Sequence, residues 1–474
     1  MSFRVWAPLA RSGVALVLGE ERVAMRPGEG GWWESEREAP PGTAYAFAID
    51  DGAPRADPRA LSLPDGPDGR SIVVDREALT STGVAWRGVE LAGAIVYELH
   101  VGTFTPGGTL DSAIERLDHL VALGVDIVEV MPLATFPGRR GWGYDGVGLY
   151  AVHEAYGGPF AFRRFVDACH ERGLGVCLDV VYNHLGPSGN HLREFGPYFT
   201  DRYETPWGEA INLDGPGSDE VRRFMVENAL MWLRDFHVDA LRLDAVHALL
   251  DERAITFVET LTADVDALSG RLGRPLTVIA ESDRNDPLTV TPRQRNGMGF
   301  HGQWADDVHH ALHVAVSGET HGYYADFASP GALAKVLEGI FFHDGTWSAF
   351  RERSHGAPVD RASLPGWRFV VSLQTHDQVG NRAGGDRLSA ALPPARLASA
   401  AALLLTSAGT PMLFMGEEWG ARTPWMYFTD HTDPAIADAV REGRRAEFGR
   451  HGWALEDVPD PQAAETFERS RLDW

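Results

Sequence analysis

Apolar and polar positions divide the chain into two parts with different periodicities. The first 85 residues contain short alternating runs, such as FRVWAP, VALVL, GWWESE and TAYAFAID, separated by Gly, Pro and Asp turns. This pattern is typical of a small β-sandwich, so we predict an N-terminal sandwich of the immunoglobulin-like type over residues 1–85. Within it, the segment DGAPRADPRALSLPDGPDG predicts an extended connection because it is dense in Pro, Gly and Asp.

From residue 86 onward, short buried runs alternate with amphipathic helical stretches. Eight runs predict strands: GAIVYELHV, VDIVEVMPL, GVCLDVVYNH, VDALRLDA, LTVIAES, FHGQWADD, FVVSLQTHD and PMLFMGEE. Helical patterns such as TLDSAIERLDHLVALG and AFRRFVDACHERG lie between them. Strand–helix alternation indicates a parallel sheet, so we predict an α/β fold with a (β/α)8 TIM barrel over residues 86–474. A doubly wound open sheet is the structural alternative.

The last part of the chain fits a barrel less well. After PMLFMGEEW a barrel needs an eighth helix, and EGRRAEFGR is too short and too polar to supply a full one. We therefore expect the eighth barrel helix to be absent.

Charge and cysteine content narrow the class of protein. The 43 Lys and Arg residues against 67 Asp and Glu residues give a net charge of −24, which disfavours nucleic acid and anionic membranes as partners. The two cysteines, Cys169 and Cys177, are expected to be reduced core residues. The N-terminal sequence does not resemble a signal peptide, and no apolar run reaches bilayer-spanning length, so we predict a cytoplasmic protein.

Polar residues, most of them titratable, stand at the ends of seven predicted strands. They are Glu98 and His100; Asp179, Asn183 and His184; Arg242, Asp244 and His247; Glu281 and Asp283; Asp306 and Asp307; His376 and Asp377; and Glu417 and Glu418. Taken singly, each has a simpler explanation: polar strand ends are common, and an Asp that closes a strand is usually the N-cap of the next helix. Because all strand ends of a barrel converge on one face, their joint occurrence predicts an active site there.

Familiar motifs for other chemistries are missing from the sequence. GTFTPGG lacks the spacing of a phosphate-binding glycine loop, and neither a Gly-x-Ser-x-Gly elbow nor His-Glu-x-x-His occurs. DDVHH lacks a close third ligand, so we expect neither a metal nor a cofactor. Carboxylates with neighbouring Arg and His are the groups that glycoside hydrolysis uses.

The motifs DVVYNH, LRLDAVH, IAES and QTHDQ, in this order, resemble the α-amylase family of retaining glycoside hydrolases. The resemblance implies that Asp244 is the nucleophile, Glu281 the general acid/base and Asp377 the transition-state stabiliser. It also implies that Arg242, His184 and His376 hold the sugar at the cleavage point and that Tyr144 is an aromatic platform beneath it. Asp179 is expected to pair with Arg242.

The implied roles require opposite protonation states of two carboxyl groups. Arg242 lies two residues before Asp244, on the same strand face, and should lower the pKa of that carboxyl. Glu281 must begin protonated, which calls for a less cationic, more apolar setting that raises its pKa. In a retaining enzyme the two carboxyls should lie about 5–5.5 Å apart.

Longer matches, including YELHVGTFTPGGTLDSAIERL, RGWGYDGVGLYA, WADDVHHAL and GEEWG, resemble a subgroup of that family. Its members cut the α-1,4 bond next to the terminal trehalose of a maltooligosyl-trehalose and release trehalose. The resemblance implies α-glucan substrates, a role in trehalose biosynthesis and a C-terminal β-domain that this chain is expected to lack. Thr375 stands where an asparagine is expected. The further substrate-binding residues that we predict are Asn183, His247, Asp306, Asp307, His309, His310, Gln378, Asn381 and Trp419.

Two other functions remain open at this point. A glycogen branching or debranching enzyme would share the sandwich, the barrel and all three carboxylates. A non-catalytic glucan-binding protein would keep the scaffold without turnover, although intact Asp244, Glu281 and Asp377 argue against it.

Overall fold

The computed structural model describes residues 2–80, 85–450 and 458–474. Its N-terminal region contains the strands β1 (Ser2–Trp6), β2 (Val14–Leu18), β3 (Glu21–Ala24), β4 (Arg26–Pro27), β5 (Trp32–Glu38), β6 (Ala44–Ile49) and β7 (Ser71–Ile72). They form two sheets, of order β1-β5-β4 and β3-β2-β6-β7. Phe3 of the first sheet packs on Tyr45 of the second, with ring centroids 4.9 Å apart. The predicted domain boundary at residue 85 adjoins residues 81–84, which lie outside the described residues, and it stays a prediction.

Eight parallel strands of the following region close into a barrel. The strands after the N-terminal sheets are β8 (Val96–Leu99), β9 (Ile127–Val130), β10 (Ala134–Thr135), β11 (Gly148–Val152), β12 (Gly175–Val180), β13 (Phe199–Thr205), β14 (Gly208–Ile211), β15 (Ala240–Leu243), β16 (Thr277–Ala280), β17 (Gly302–Trp304), β18 (Thr346–Ser348), β19 (Arg353–His355), β20 (Phe369–Ser372) and β21 (Thr410–Phe414). The barrel order is β12-β15-β16-β17-β20-β21-β8-β9, while the remaining six strands form three two-stranded sheets. All eight predicted barrel strands are confirmed, and the open-sheet alternative is wrong because β8 pairs with both β9 and β21.

Most of the described helices lie in connections between the barrel strands, but the first precedes the first barrel strand and the last two follow the last barrel strand. They are α1 (Arg76–Thr80), α2 (Val101–Phe104), α3 (Leu110–Ile114), α4 (Leu117–Leu123), α5 (Gly158–Glu171), α6 (Leu192–Phe195), α7 (Ser218–Asp235), α8 (Phe257–Leu272), α9 (Asp306–Ser317), α10 (Ala332–Gly339), α11 (His376–Gly380), α12 (Leu388–Ala391), α13 (Pro394–Leu405), α14 (Pro434–Arg450) and α15 (Ala464–Arg469). Gly124 and Gly273 end α4 and α8 in left-handed conformations, as the glycine stop signals predict.

The barrel interior is apolar at one end and charged at the other. One buried cluster takes a side chain from each barrel strand: Val96, Ile127, Cys177, Ala240, Ile279, Trp304, Val370 and Met412. Asp179 and Arg242 lie two positions after Cys177 and Ala240, so they share the same inward face. The apolar layer therefore forms a floor beneath the charged residues. Cys169 and Cys177 are both buried and free.

Two details of the helix prediction are corrected by the structure. The single helix expected over TLDSAIERLDHLVALG is broken into α3 and α4. EGRRAEFGR, expected to be too short and polar for a full helix, is the second half of α14, which has 17 residues. None of residues 434–446 is buried, so this part of α14 does not belong to the packed barrel wall.

Candidate active site

Charged side chains converge at the carboxyl ends of the barrel strands. Asp179 lies in β12 and Arg242 in β15, while Asp244 and Glu281 directly follow β15 and β16. Neighbouring parallel strands end at the same face, and β12, β15 and β16 are consecutive in the barrel. The strands thus bring together residues that are distant in the sequence.

Arg242 lies at the centre of this cluster. Its Nη1 donates to both carboxylate oxygens of Asp179, each at 2.9 Å, and to Oδ1 of Asp244 at 2.8 Å. Its Nη2 lies 3.6 Å from Oε2 of Glu281. The guanidinium carbon lies 4.3 Å from the ring centroid of Trp304. One buried cation therefore contacts three carboxyl groups and rests on an aromatic ring of the barrel floor.

Asp244 is held in its ionised form. Burial alone would raise the pKa of this carboxyl, but Arg242, His184 and Asn183 together lower the pKa below its ordinary value. The Asn183 amide donates to Oδ2 of Asp244 at 2.7 Å and to its backbone carbonyl at 2.9 Å. The side chain is thus an ionised carboxylate whose orientation is fixed by hydrogen bonds on both oxygens.

Glu281 has the opposite protonation state. Burial raises its pKa to about 8, and Asp244 and Asp306 act in the same direction, while Arg242 opposes them. The expected rise is present, although its neighbours are charged groups rather than an apolar pocket. The backbone N–H of Ala245 donates to Oε2 of Glu281 at 2.6 Å. Ala245 adopts a left-handed φ of 41°, so a strained turn directly after Asp244 links the two carboxyl groups.

Asp377 lies in the first turn of α11. Its side chain is exposed, and the Asn381 amide donates to Oδ1 at 2.7 Å. Thr375 is the N-cap of α11 and accepts from the Asp377 backbone N–H at 3.2 Å. Threonine thus supplies the capping oxygen where an asparagine was expected. Burial and the nearby Asp377 raise the pKa of Asp306 to about 7.

The half-buried Tyr144 and the buried His376 form a second layer beside Asp179. The Tyr144 hydroxyl lies 2.6 Å from Oδ2 of Asp179 and 2.9 Å from Nε2 of His376. The two rings are stacked, with centroids 5.2 Å apart. His376 also contacts Glu98 of β8, whose Oε1 lies 2.5 Å from Nδ1.

This arrangement supplies the three groups that double displacement at a sugar carbon needs. An ionised carboxylate and a protonated carboxyl share one guanidinium, and a third carboxyl group, that of the exposed Asp377, lies near Asp306. No group of three or more His, Cys, Asp or Glu side chains in the described part of the chain is arranged to hold a metal ion.

Comparisons with known proteins agree with this chemistry. Residues 67–203 match the alpha amylase catalytic domain. A malto-oligosyltrehalose trehalohydrolase of Arthrobacter ramosus is 58% identical over 479 residues, covering 100% of this chain and 83% of the relative. The chain belongs to the malto-oligosyltrehalose trehalohydrolases.

Two further comparisons place this trehalohydrolase family member among its neighbours. A crystal structure described as an alpha amylase from Salmonella typhimurium superposes with a TM-score of 0.91 at 41% identity, covering 100% of this chain and 80% of that one. A 1,4-alpha-glucan branching enzyme of Bacillus cereus is 32% identical, over only 64% of this chain and 52% of the relative. The trehalohydrolase match is therefore both closer and longer than the branching-enzyme match.

Several predicted substrate-binding residues of this family member lie in or beside the cluster of carboxyl groups. His184 and Asn183 are adjacent to Asp244. Gln378 lies 3.4 Å from Oδ1 of Asp306. His247 is at the edge of the group, with Nδ1 3.9 Å from Asp283.

The contacts of four other predicted residues lie in the surrounding walls. Asp307 accepts from the Asn285 amide and from the backbone N–H groups of residues 342 and 343, so it fixes a loop. His309 bonds to the carbonyl of Leu373, and His310 packs against Tyr323. Trp419 packs against His119 of α4 and Trp474, on the outer side of the barrel. The order of the motifs along the sequence does not indicate whether a side chain points into the site or into the surrounding wall.

Three residues around the site were not assigned a role from the sequence. Glu98 was recognised only as a polar strand end, and Trp304 only as part of a strand. Trp207, at the turn between β13 and β14, stacks on His184 with centroids 5.2 Å apart and is 46% exposed. The only available signal for Trp207 was an aromatic residue flanked by Pro and Gly, the composition of a turn.

None of the described helices combines the length and the hydropathy needed to cross a bilayer.

Proposed function

We propose that this chain is a retaining glycoside hydrolase that cuts the α-1,4-glucosidic bond next to the terminal trehalose of a maltooligosyl-trehalose. The name of the Arthrobacter ramosus relative supports both the hydrolytic reaction and its trehalose end. The single observation that carries the mechanism is the shared guanidinium: Arg242 bonds Asp244 at 2.8 Å and lies 3.6 Å from Glu281. It favours an ionised nucleophile beside a carboxyl that burial keeps protonated.

The reaction proceeds through two displacements. Asp244 attacks the anomeric carbon while Glu281 donates its proton to the glycosidic oxygen, so the C–O bond breaks and trehalose leaves. The glycosyl group is then esterified to Asp244. Glu281, now ionised, takes a proton from water, and the hydroxyl attacks the anomeric carbon and releases Asp244.

Other side chains have binding roles in this proposal. Asp377, oriented by Asn381, places negative charge beside the oxocarbenium-like transition state. Tyr144 supplies an aromatic face below the sugar, and His376 orients that ring through the contact between Nε2 and the Tyr144 hydroxyl. His184 donates to a sugar hydroxyl group. Asp306, Gln378 and His247 contact sugars farther along the cleft. The cytoplasmic location stays a prediction, and the two free, buried cysteines are compatible with a reducing compartment.

A product assay tests the proposal directly. Incubation with maltotriosyl-trehalose should release trehalose and maltotriose, resolved by anion-exchange chromatography. Proton NMR at early times should show the new reducing end in the α configuration, because two inversions retain stereochemistry. New or lost α-1,6 linkages would instead indicate a branching or debranching enzyme, and binding without products would indicate a glucan-binding protein.

Asp244→Asn provides the matching mutational test. The substitution removes the nucleophile with little change in shape, so kcat should fall at least about 10⁴-fold while glucan affinity is largely kept. Asp118→Asn is the control, since Asp118 pairs with Arg172 on the outer helices and its side chain is 83% exposed. Near-wild-type turnover by Asp244→Asn would refute the nucleophile assignment.

A further inference from the structure

Both carboxylate oxygens of Glu98 contact His376, which follows the distant strand β20. Its Oε2 accepts from the backbone N–H of His376 at 2.9 Å, and its Oε1 lies 2.5 Å from Nδ1 of the same residue. The Glu98 side chain is 1% exposed and that of His376 is 3% exposed. Since both carboxylate oxygens accept from one residue, Glu98 fixes the backbone and the ring of His376 together.

The directions of the hydrogen bonds determine the protonation of the His376 ring. Asp179 already accepts from Arg242 on both oxygens, and the Tyr144 hydroxyl lies 2.6 Å from one of them, so Tyr144 donates its proton to Asp179. The same hydroxyl oxygen then has only lone pairs left for Nε2 of His376, at 2.9 Å. Nε2 must therefore donate to Tyr144, while Nδ1 donates to Glu98. Both ring nitrogens carry a proton.

We propose that Glu98 is a positioning residue that keeps His376 doubly protonated and thereby holds the chain Tyr144–Asp179–Arg242 beneath the nucleophile. This inference rests on the proposed function, because it concerns the same site. It assigns alternating charges to five buried groups, from Glu98 through the His376 imidazolium, Asp179 and Arg242 to Asp244. Each charge is then next to an opposite one, which is the condition under which buried ions are tolerated.

The charged surroundings of His376 are consistent with this state. Burial lowers the pKa of His376, and Glu98 and Asp377 more than offset burial, so the pKa is raised. The titratable and charged groups that face His376 are Glu98, His100, Glu129, Tyr144, Asp179, Arg242 and Asp377. Of these, Arg242 lowers the pKa of His376, and His100 is neutral because burial lowers its pKa to about 3.

Glu98→Gln separates the charge from the geometry. In the variant the amide oxygen accepts from the His376 backbone N–H, and the amide nitrogen donates to an unprotonated Nδ1. Nε2 keeps its proton and its bond to Tyr144. Every hydrogen bond is retained, but the imidazolium is lost.

Loss of the imidazolium should be visible at Asp179. Burial raises the pKa of Asp179 to about 6, and Arg242 and His376 keep it from rising further. With a neutral His376 that pKa rises, so Asp179 protonates nearer to neutral pH and releases Arg242. The acid limb of kcat/KM should therefore move to higher pH in Glu98→Gln, with kcat/KM at pH 6 about 100-fold lower, as expected when reacting groups are slightly misplaced.

The first experiment needs no turnover, so its outcome is independent of the proposed reaction. Nitrogen-15 NMR of histidine-labelled enzyme at pH 7, with the His376 signals assigned from a His376→Gln sample, reports the protonation of both ring nitrogens. We expect an imidazolium in the wild type and a neutral, Nε2-protonated ring in Glu98→Gln. A neutral His376 in the wild type, or an imidazolium that survives in the variant, would overturn the proposal.

The second experiment measures pH profiles with maltotriosyl-trehalose. Glu129→Gln is the matched control, because Glu129 faces Glu98 in the register of β8 and β9 and burial raises its pKa to about 8. It is already largely uncharged at pH 7 and below, so the acid limb and the His376 signals should be unchanged. A fall in rate without movement of the acid limb in Glu98→Gln would show a merely structural role and refute the inference.

Discussion

Arg242→Gln is the perturbation that tests most directly how the site sets its protonation states. Arg242 is 2% exposed and bonds Asp244 and Asp179 at 2.8 and 2.9 Å. For charge centres about 4 Å apart at an effective dielectric constant of about 20, each pair is worth about 4 kcal/mol, or about three pKa units. Without this cation, burial governs, and the pKa of Asp244 should rise towards neutrality.

The pH dependence of activity should shift in a characteristic way. The nucleophile must be ionised, so a higher pKa of Asp244 moves the acid limb of kcat/KM upward. Glu281 must be protonated, and Arg242 at 3.6 Å lowers its pKa, so the alkaline limb should also move upward from about 8. The shift of the alkaline limb should be smaller, because Glu281 is farther from the guanidinium. The whole profile is therefore displaced to higher pH.

Arg274→Gln is the matched control for loss of a buried arginine. Arg274 donates to Asp239 at 2.8 Å, just before β15 and β16 begin, at the face opposite to the site. Both variants break a buried ion pair, so thermal unfolding should show a loss of about 3–5 kcal/mol in each. Only Arg242→Gln should displace the pH profile. Equal stability losses with both limbs unmoved would refute the electrostatic role of Arg242.

Two further predictions concern Glu281 and Thr375. Glu281→Gln should lose at least about 100-fold in kcat on maltotriosyl-trehalose and much less on an aryl glucoside with a good leaving group, whereas equal losses would contradict the acid role. The same variant should gain stability over the wild type as pH rises from 4.5 to about 8, because in that interval the unfolded glutamate is ionised and the folded one remains protonated. Denaturant melts at pH 5 and pH 8 measure this difference. Thr375→Ala should lower the free energy of unfolding by about 1 kcal/mol, because the N-cap of α11 is lost, and should lower kcat by displacing Asp377. Thr375→Asn should keep both the stability and kcat near the wild-type values, since asparagine caps equally well. If the asparagine variant loses as much as the alanine variant, capping is excluded as the reason.

The barrel could be predicted because its strands are continuous apolar runs. All four residues of β8, β9, β15 and β16 are buried, and such runs differ clearly from the amphipathic helices between them. α14 was missed for the opposite reason. Its second half, EGRRAEFGR, is mostly polar, so its few apolar positions gave only a weak indication of a full helix.

Only those residues of the candidate site that directly follow barrel strands could be placed from the sequence. The residues Asp244 and Glu281 follow neighbouring strands, and barrel topology alone brings them together. The position of Trp419 depends on which side of the wall a loop residue faces, which strand order does not determine. The partnership of Glu98 with His376 joins residues 278 positions apart and becomes visible only after the barrel has closed.

The seam between the first and last barrel strands has a kinetic consequence. β8 and β21 pair across more than 300 residues, through Val96 with Met412 and Glu98 with Phe414. During refolding, closing such a long loop is entropically costly and therefore slow, so sheet made of the intervening strands can form earlier. Until the two edges meet, β8 cannot bring its carboxylate to the histidine after β20. Recovery of turnover should thus lag behind recovery of secondary structure, which makes enzymatic activity a reporter of ring closure.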